Sequence, residues 1–576
     1  MVRSIAHQLI RRASKLDWPS QVIGVPEFLI LWFDDLPESL VNLRQLVFLY
    51  LSSNMLSGVL PSWLFTLPSL EFVRLSNNKL KGTIPHELFS LQSIKGLSLD
   101  HNQLSGKIDV LGHVPMAQTF LNLTHLKYLD LSYNNFSGDW ELETLLSSLT
   151  NLTELHLSRS GVSVTVMTKN ATSYVNPDFK LLGLAYCKIK VFPKSLRAMK
   201  KLETLDISNN DIHGHIPDWV GEIGGNRLLV LDLSNNSIVG TIPNVYQDFV
   251  ALEGLKLNGN QLEGEIPTSL VKCQSLKVLD LGNNNLTGTF PSWLGDLPNL
   301  QALILKSNNF HGYIFNSSVV QFPFPSLRVF DLSSNGFKGR LPANYFLNFN
   351  AMKNVVKKGT KREYLSMGGQ YYSIIIAVKG REQEFPKLLV EFTIVDLSNN
   401  KFEYEIPDVI GNLGSLIVLD LSHNKLTGRI PNSFGKLSEI ESLDLSWNQL
   451  TGEIPACLVD LTFMSFLNVS QNHLVGRIPQ GHQFSTYEGS SFVGNPELCG
   501  FQLLKECDQY RRKPQVEGVD EDKEKSGLTW KPVMLGYSCG TLLGLMLGYL
   551  MLSTGRPKWF NALADVAEHR ILKRQT

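Results

Sequence analysis

An α/β solenoid with a parallel β-sheet on its concave face, followed by a single transmembrane helix, is the architecture this sequence predicts. Three observations predict it. A unit of the form LxLSxNxLxGxIP recurs along most of the 576 residues, leucines alternate within each unit, and one stretch of 24 residues, 532–555, carries no charge.

The repeat comes first because it organises everything else. Its asparagine position falls at Asn54, Asn78, Asn102, Asn134, Ser160, Cys187, Asn210, Asn236, Asn260, Asn284, Asn308, Asn335, Asn400, Asn424, Asn448 and Asn472, which makes sixteen units. The commonest interval is 24 residues, inside the range of leucine-rich repeats, where each unit is one short strand plus a return segment. In Val278-Leu279-Asp280-Leu281 the alternation sends Leu279 and Leu281 inward and leaves Val278 and Asp280 on the outer face of the sheet. Stacked leucines then make one continuous core. The asparagine stands where the chain turns away from the strand, and its amide can bond backbone groups that the turn leaves unpaired. Ser160 and Cys187 are small replacements there. The Gly-x-x-Pro spacing recurs ten times, from Gly58 and Pro61 to Gly476 and Pro479; the glycine allows a tight backbone and the proline favours an extended or turn conformation. Sixteen strands at about 4.8 Å each would extend a sheet on the order of 75 Å, a surface suited to a peptide or macromolecule.

Taken in order, residues 1–35 read as a degenerate or truncated segment, with Arg3, Arg11, Arg12 and Lys15 and no uninterrupted apolar run of the secretory kind. About twelve repeats fill 36–345, with a short insertion between Gly106 and Leu123. An island occupies 346–391, where the repeat interval stretches to 65 residues, from Asn335 to Asn400. It holds the basic residues Lys353, Lys357, Lys358, Lys361 and Arg362, then the strand-prone run Tyr371 to Gly380. An insertion of this length is either a tolerated surface loop or a contact for ligand or partner. Four more repeats fill 392–482, and 483–510 is a cap that Cys499 and Cys507 are placed to staple in an oxidising compartment. An acidic juxtamembrane linker spans 511–531. The uncharged residues 532–555 are long enough to cross a bilayer. Arg556, Lys558, Arg570, Lys573 and Arg574 outnumber Asp565 and Glu568 in the tail 556–576, which puts that tail in the cytosol and the repeats outside. Gly536, Gly540, Gly544 and Gly548 line one face of the span, a tandem GxxxG that suits close pairing with a partner helix.

Composition excludes several functions. With 53 basic and 53 acidic side chains no whole-protein field favours nucleic acid. No phosphate loop, nucleophile elbow, HExxH or paired CxxC occurs. No catalytic residue, metal or cofactor is therefore expected. The aspartates in the x of LxL, such as Asp130, Asp206, Asp232, Asp280 and Asp331, read as solubilising repeat residues. Departures from that pattern mark the candidate ligand face: Phe48, Tyr50, Phe72 and Arg74 near the start, and Tyr128, Tyr133, His156 and Arg159 further on. Aromatic and Arg side chains are typical interface anchors. Eight sequons, at Asn122, Asn135, Asn151, Asn170, Asn235, Asn285, Asn316 and Asn468, are compatible with N-glycosylation outside the cell.

The LxGxIP repeat, the island with Tyr372-Ser and Lys379-Gly-Arg-Glu-Gln-Glu384, four further repeats, Gly-Asn495-Pro-Glu-Leu-Cys499-Gly and Trp530-Lys-Pro before a glycine-rich span ending near Pro557-Lys-Trp-Phe560 occur together. In this combination the chain resembles the plant receptor-like proteins, over about residues 36 to 562. The resemblance implies a plant-type superhelix in a single-pass type I receptor of the plasma membrane that has no kinase. Such a receptor binds an extracellular peptide, protein or elicitor, often in defence and sometimes in development. It recruits a leucine-rich-repeat receptor kinase through its membrane helix and a co-receptor kinase through its last repeats. Carried over by position, Gly536, Gly540, Gly544 and Gly548 are the helix contact, and the faces around Asp396, Asp420, Asp444 and Trp447 are the co-receptor surface. The chain departs from the family in showing no signal peptide and no N-terminal cysteine cap, which points to a truncated or decoy receptor. An enzyme-inhibiting repeat protein, such as a polygalacturonase-inhibiting protein, is the other alternative, and the apolar span Pro532 to Gly555 argues against it.

Overall fold

Each LxL run forms a three- to five-residue strand, and these strands stack in strictly parallel register, as in Val278↔Ala302, Leu279↔Leu303 and Asp280↔Ile304. The computed structural model describes residues 22–24, 36, 38–108, 120–166, 175–315, 322–354, 362–481 and 483–507. Within them the long sheet has 17 strands. Sixteen belong to the repeats read from the sequence. The additional one, Val22–Gly24, lies in the segment expected to stand ahead of the repeats and pairs with Phe48–Tyr50.

The leucines behave as the period requires. Leu279 and Leu281 are fully buried in one core that runs from Leu36 to Leu498. Beyond the asparagine, the LxGxI segments form a second row of short parallel strands on the flank of the coil, eight of them in one sheet, where the sequence suggested only a return segment. After the proline the chain closes as a short 3-10 helix, as in Ser62–Thr66 and Thr268–Lys272. Proline suits that entry because its φ is already near the helical value and it lacks the N–H that a helix start leaves unpaired.

The asparagines form a ladder inside the coil. Asn284 donates from Nδ2 to Leu257 O at 3.0 Å and Leu281 O at 3.1 Å, and its Oδ1 accepts from Leu262 N at 3.0 Å. One side chain thus joins its own coil to the one before it. Cys187 fills the same place with a thiol that donates to Leu157 O at 3.4 Å, while Asn210 of the next coil accepts from both Cys187 N and Ile189 N. Burial pushes the Cys187 thiol up to about 12, so it is inert. The ladder continues into the cap, where Asn495 donates to Val469 O and Phe492 O and accepts from Leu474 N. Cys499 and Cys507 are disulfide-bonded.

The island divides in two. Phe346, Phe349 and Met352, at its start, belong to the main core. Residues 355–361, and with them Lys357, Lys358 and Lys361, lie outside the described residues. From Ser366 the chain makes two antiparallel hairpins, Ser366–Met367 with Gln370–Tyr371 and Ile374–Val378 with Arg381–Phe385. The second is laid across the outer face of the long sheet. Tyr372, Ile374, Ile376 and Val378 bury against Val230, Val278, Ala302, Ile304, Val329, Ile394 and Val418, which makes a second apolar core. Polar contacts fix its position: Gly368 N donates to Glu253 Oε2 at 2.8 Å, Tyr372 OH to Asp280 Oδ2 at 3.2 Å, and Lys379 N to Ser442 Oγ at 3.2 Å. A side chain at position 254 would meet Met367 Sδ at 2.2 Å, so Gly254 is what lets the island lie flat there.

Among the described residues no helix is long and apolar enough to cross a membrane. The span expected at 532–555, its glycines 536, 540, 544 and 548, and the linker and tail on either side lie outside the described residues.

Candidate ligand-binding face

Because the island covers the outer face from Val230 to Val418, the strands before it are the ones left open. The first four candidate residues come together there. Parallel register places Phe48 beside Phe72 and Tyr50 beside Arg74. The two phenylalanine rings stack at 5.2 Å, and the Arg74 guanidinium lies 5.1 Å from the Tyr50 ring centroid. The next strand offers Gly96 beside Phe72, whose Cδ1 would be 2.6 Å from any Cβ at that position, so the ring lies over the glycine. Beyond it, Tyr128 and His156 sit half-buried on their strands with rings 5.7 Å apart, and Tyr128 OH donates to Asp130 Oδ2 at 3.2 Å.

Tyr133 and Arg159 are placed differently. Each holds the residue before the ladder position, at φ 51° and 54°, a left-handed conformation in which large side chains are uncommon. That column runs along the edge of the sheet. His101 stacks on Tyr133 at 4.2 Å, and the Arg159 guanidinium lies 3.8 Å from the Tyr186 ring. His101 and Tyr186 therefore join the site although sequence reasoning passed them over. An aromatic or histidine ahead of the repeat asparagine, where Asn or Ser is usual in this chain, is the signal that would have found them. Tyr133 is 46% exposed, so the rings present a face to solvent and are not core.

The aspartates are not solubilising residues. Asp232 Oδ1 accepts from Ser234 N at 3.0 Å and Ser234 Oγ at 2.6 Å, and Asp130, Asp331, Asp396 and Asp444 bond the serine two residues on in the same way. They close the turn between strand and ladder. This corrects the expectation for Asp396 as a co-receptor surface: at 4% exposure, with its carboxylate held by Ser398, it is not available. Asp420 and Asp444 are half-buried and similarly engaged. Of that group Trp447 is the freely presented member, 54% exposed and stacked on His423 at 5.6 Å.

Burial raises several of the strand aspartates. Asp206 and Asp280 are pushed up to about 6, and Asp420 to about 7, where the Asp444 carboxylate adds to the burial. Since the folded values exceed the unfolded value of about 4, the folded chain holds more protons between the two, and stability falls as pH rises through the window from about 4 to about 7. The exposed pairs of Asp178 with Lys201 and Glu222 with Arg197 lower those carboxylates and act in the opposite sense, below about pH 4. The melting temperature at pH 5 is therefore expected to exceed that at pH 7.5; equal or reversed values would contradict the burial.

Of the sequons, Asn135, Asn151, Asn235 and Asn285 are exposed and Asn122 is half-buried. Asn468 is half-buried, donates to Asp444 Oδ2 at 3.1 Å and accepts from Ser470 N and Oγ, so its amide serves the strand-end turn. Asn170 and Asn316 lie outside the described residues.

Known proteins align with this arrangement. Leucine rich repeat family models match residues 44–104, 122–139, 201–223, 227–249, 266–310 and 391–450. Receptor-like protein 18 of Arabidopsis thaliana is 38% identical over 501 residues, covering 77% of this chain and 60% of that protein. Receptor-like protein 9DC3 of Solanum pimpinellifolium is 54% identical over 318 residues, covering 54% of this chain and 37% of that protein. The chain thus spans between about a third and three fifths of the length of these relatives. Among solved structures, the plant peptide hormone receptor RGFR1 in complex with RGF2 superposes with a TM-score of 0.60 at 24% identity, covering 81% of this chain and 73% of that one, a likeness of fold. The ectodomain of the Arabidopsis receptor kinase HAESA, solved with the peptide hormone IDA and the co-receptor SERK1, gives 0.54 at 26% identity, covering 81% and 80%. With its asparagine ladder, its island and its capped end, the chain belongs to the leucine-rich-repeat proteins and, within them, to the plant receptor-like proteins.

Proposed function

We propose that this chain is a cell-surface receptor, not an enzyme, which binds an extracellular peptide, protein or elicitor on the open aromatic part of its long sheet. The observation that carries the proposal is the contrast along one face. Strands from Val230 to Val418 are covered by the island, while Phe48, Tyr50, Phe72, Arg74, Tyr133 and Arg159 form stacked and cation-π pairs on strands and turns ahead of that seam. Rings and guanidinium groups pre-ordered in pairs lose little side-chain entropy on binding. The apolar residues 532–555 would anchor the chain in the plasma membrane, with the repeats outside and the basic tail in the cytosol. Signalling is then borrowed from a partner receptor kinase through Gly536, Gly540, Gly544 and Gly548. Trp447 and its neighbours in the last repeats would meet a co-receptor. The relatives named as receptor-like proteins, and the peptide-bound ectodomain of similar fold, support this reading, and defence is the role proposed.

The test uses plant cells expressing the full chain with a receptor-kinase partner, treated with extracellular fluid from pathogen-challenged leaves. Arg74→Glu with Tyr133→Ala is expected to raise the half-maximal dose at least tenfold at unchanged surface level, since interface anchors of this kind contribute about 2 kcal/mol each. Val250→Ala, at an exposed apolar residue elsewhere, is expected to leave the dose unchanged. An identical dose for all three chains would refute the assignment.

A further inference from the structure

The flank of the last four coils carries a charge pattern that the receptor reading does not use. Before the Ile-Pro of each of these coils stand Glu405, Arg429, Glu453 and Arg477 in turn, after Tyr404 in the first coil and after Gly in the other three, so charge alternates from rung to rung. All four side chains are exposed. No ion pair joins them to one another or to any other described residue, although salt bridges form elsewhere on the chain, as between Arg197 and Glu222. The stems of the first three lie along the coil axis, each over the glycine of the next coil: a Cβ at Gly428 would meet Glu405 Cγ at 2.6 Å, one at Gly452 would meet Arg429 Cγ at 2.9 Å, and one at Gly476 would meet Glu453 Cγ at 3.1 Å. The four line a single groove of about 1110 Å³, floored by Ile430 and Ile454. At about 4.8 Å per rung the charged row is about 14 Å long.

An alternating row with an even number of charges has a property that a random row lacks. Turned end for end about a two-fold axis through its centre, it meets its own copy with every charge opposite one of the other sign. We propose that this flank is a homodimer interface on which two copies of this chain pair antiparallel, Glu405 with Arg477 and Arg429 with Glu453. A two-fold interface is isologous, so each pair occurs twice and four ion pairs form. The row also ends where it should. The coil after Arg477 carries Gly500 at the corresponding position, and the rung before Glu405, Arg340, has its guanidinium 4.6 Å from the Tyr404 ring. Arg340 does not line the groove, and repeats further forward hold Thr241, Glu265, Thr289 and Tyr313 at this position, so no alternation runs forward of Arg340.

The experiment is independent of ligand and signalling. Two differently tagged full-length chains are co-expressed, and their proximity in isolated membranes is read by energy transfer. The wild-type signal should fall several-fold in 1 M salt, where exposed charges are screened within about 3 Å. Arg429→Glu alone places Glu opposite Glu453, Glu453→Arg alone places Arg opposite Arg429, and each should lose self-association. Mixed together, the two variants should recover the wild-type signal, because every opposing pair is again of opposite sign. That recovery also shows that both variants fold. Self-association unaltered in the single variants, absent from the wild type, or not recovered in the mixture would overturn the proposal; the last result would assign the flank to a different partner.

Discussion

Asn284→Ala is expected to destabilise the middle of the solenoid by about 1–3 kcal/mol, the cost of leaving a buried donor unpaired, because Leu262 N donates to that side chain. Leu262 N loses its acceptor, whereas Leu257 O, Leu281 O and Gly282 O each lose one donor and keep another, from Asn260 Nδ2, Asn308 Nδ2 and Gly259 N respectively. In a stacked-coil protein each unit is stabilised chiefly by its neighbours, so the loss should appear as faster amide exchange at Leu257, Leu262 and Leu281 before it appears in the ends of the chain. Asn285→Ala, one residue on and exposed, is the control and should change stability by less than about 0.5 kcal/mol. Equal exchange rates in the two variants would show that the ladder does not hold the coils together.

Ile376→Asp should act on a separate unit. Ile376 lies in the apolar seam between island and sheet, 2% exposed, and an unpaired carboxylate there is destabilising by about 3 kcal/mol or more. The main core shares no residue with that seam, so the expected outcome is release of the island with the coils intact. Protease cleavage within 362–392 should rise by at least tenfold while the main melting transition stays within a few degrees. Gln383→Asp, on the strand residue paired with Ile376 but exposed, should leave cleavage unchanged. A fall of the main transition together with cleavage would mean that island and coils fold as one unit.

These two variants also separate the parts of the molecule that were legible in the sequence from those that were not. The ladder, the inward leucines and the stapled cap could be read because each is written in a residue's position within a 24-residue period, and stacking identical coils repeats the same local solution. The open ligand face was half legible. Phe48, Tyr50, Phe72 and Arg74 stand out as departures from the pattern and do come together, since parallel register converts equal repeat positions into neighbours. His101 and Tyr186 were missed because they stand in a turn column whose special conformation appears only in the backbone angles.

By itself the sequence determined the coil, its core and its family, because those depend on contacts between a residue and its equivalent one repeat away. Only the tertiary structure decided where the island goes and what it hides. Tyr372 reaches Asp280 across 92 residues, and Gly368 reaches Glu253 across 115, distances that no period encodes. A trace is visible in retrospect: the outward positions Val230, Val278, Ala302, Val329 and Val418 are apolar where the island lies, whereas solvent-facing strand positions would be polar. The same packing changed the meaning of Asp280, Asp331 and Asp396, from surface charges to buried turn acceptors with raised pKa. Burial is a property of what covers a residue, and in this chain the cover is supplied by a segment far away in sequence.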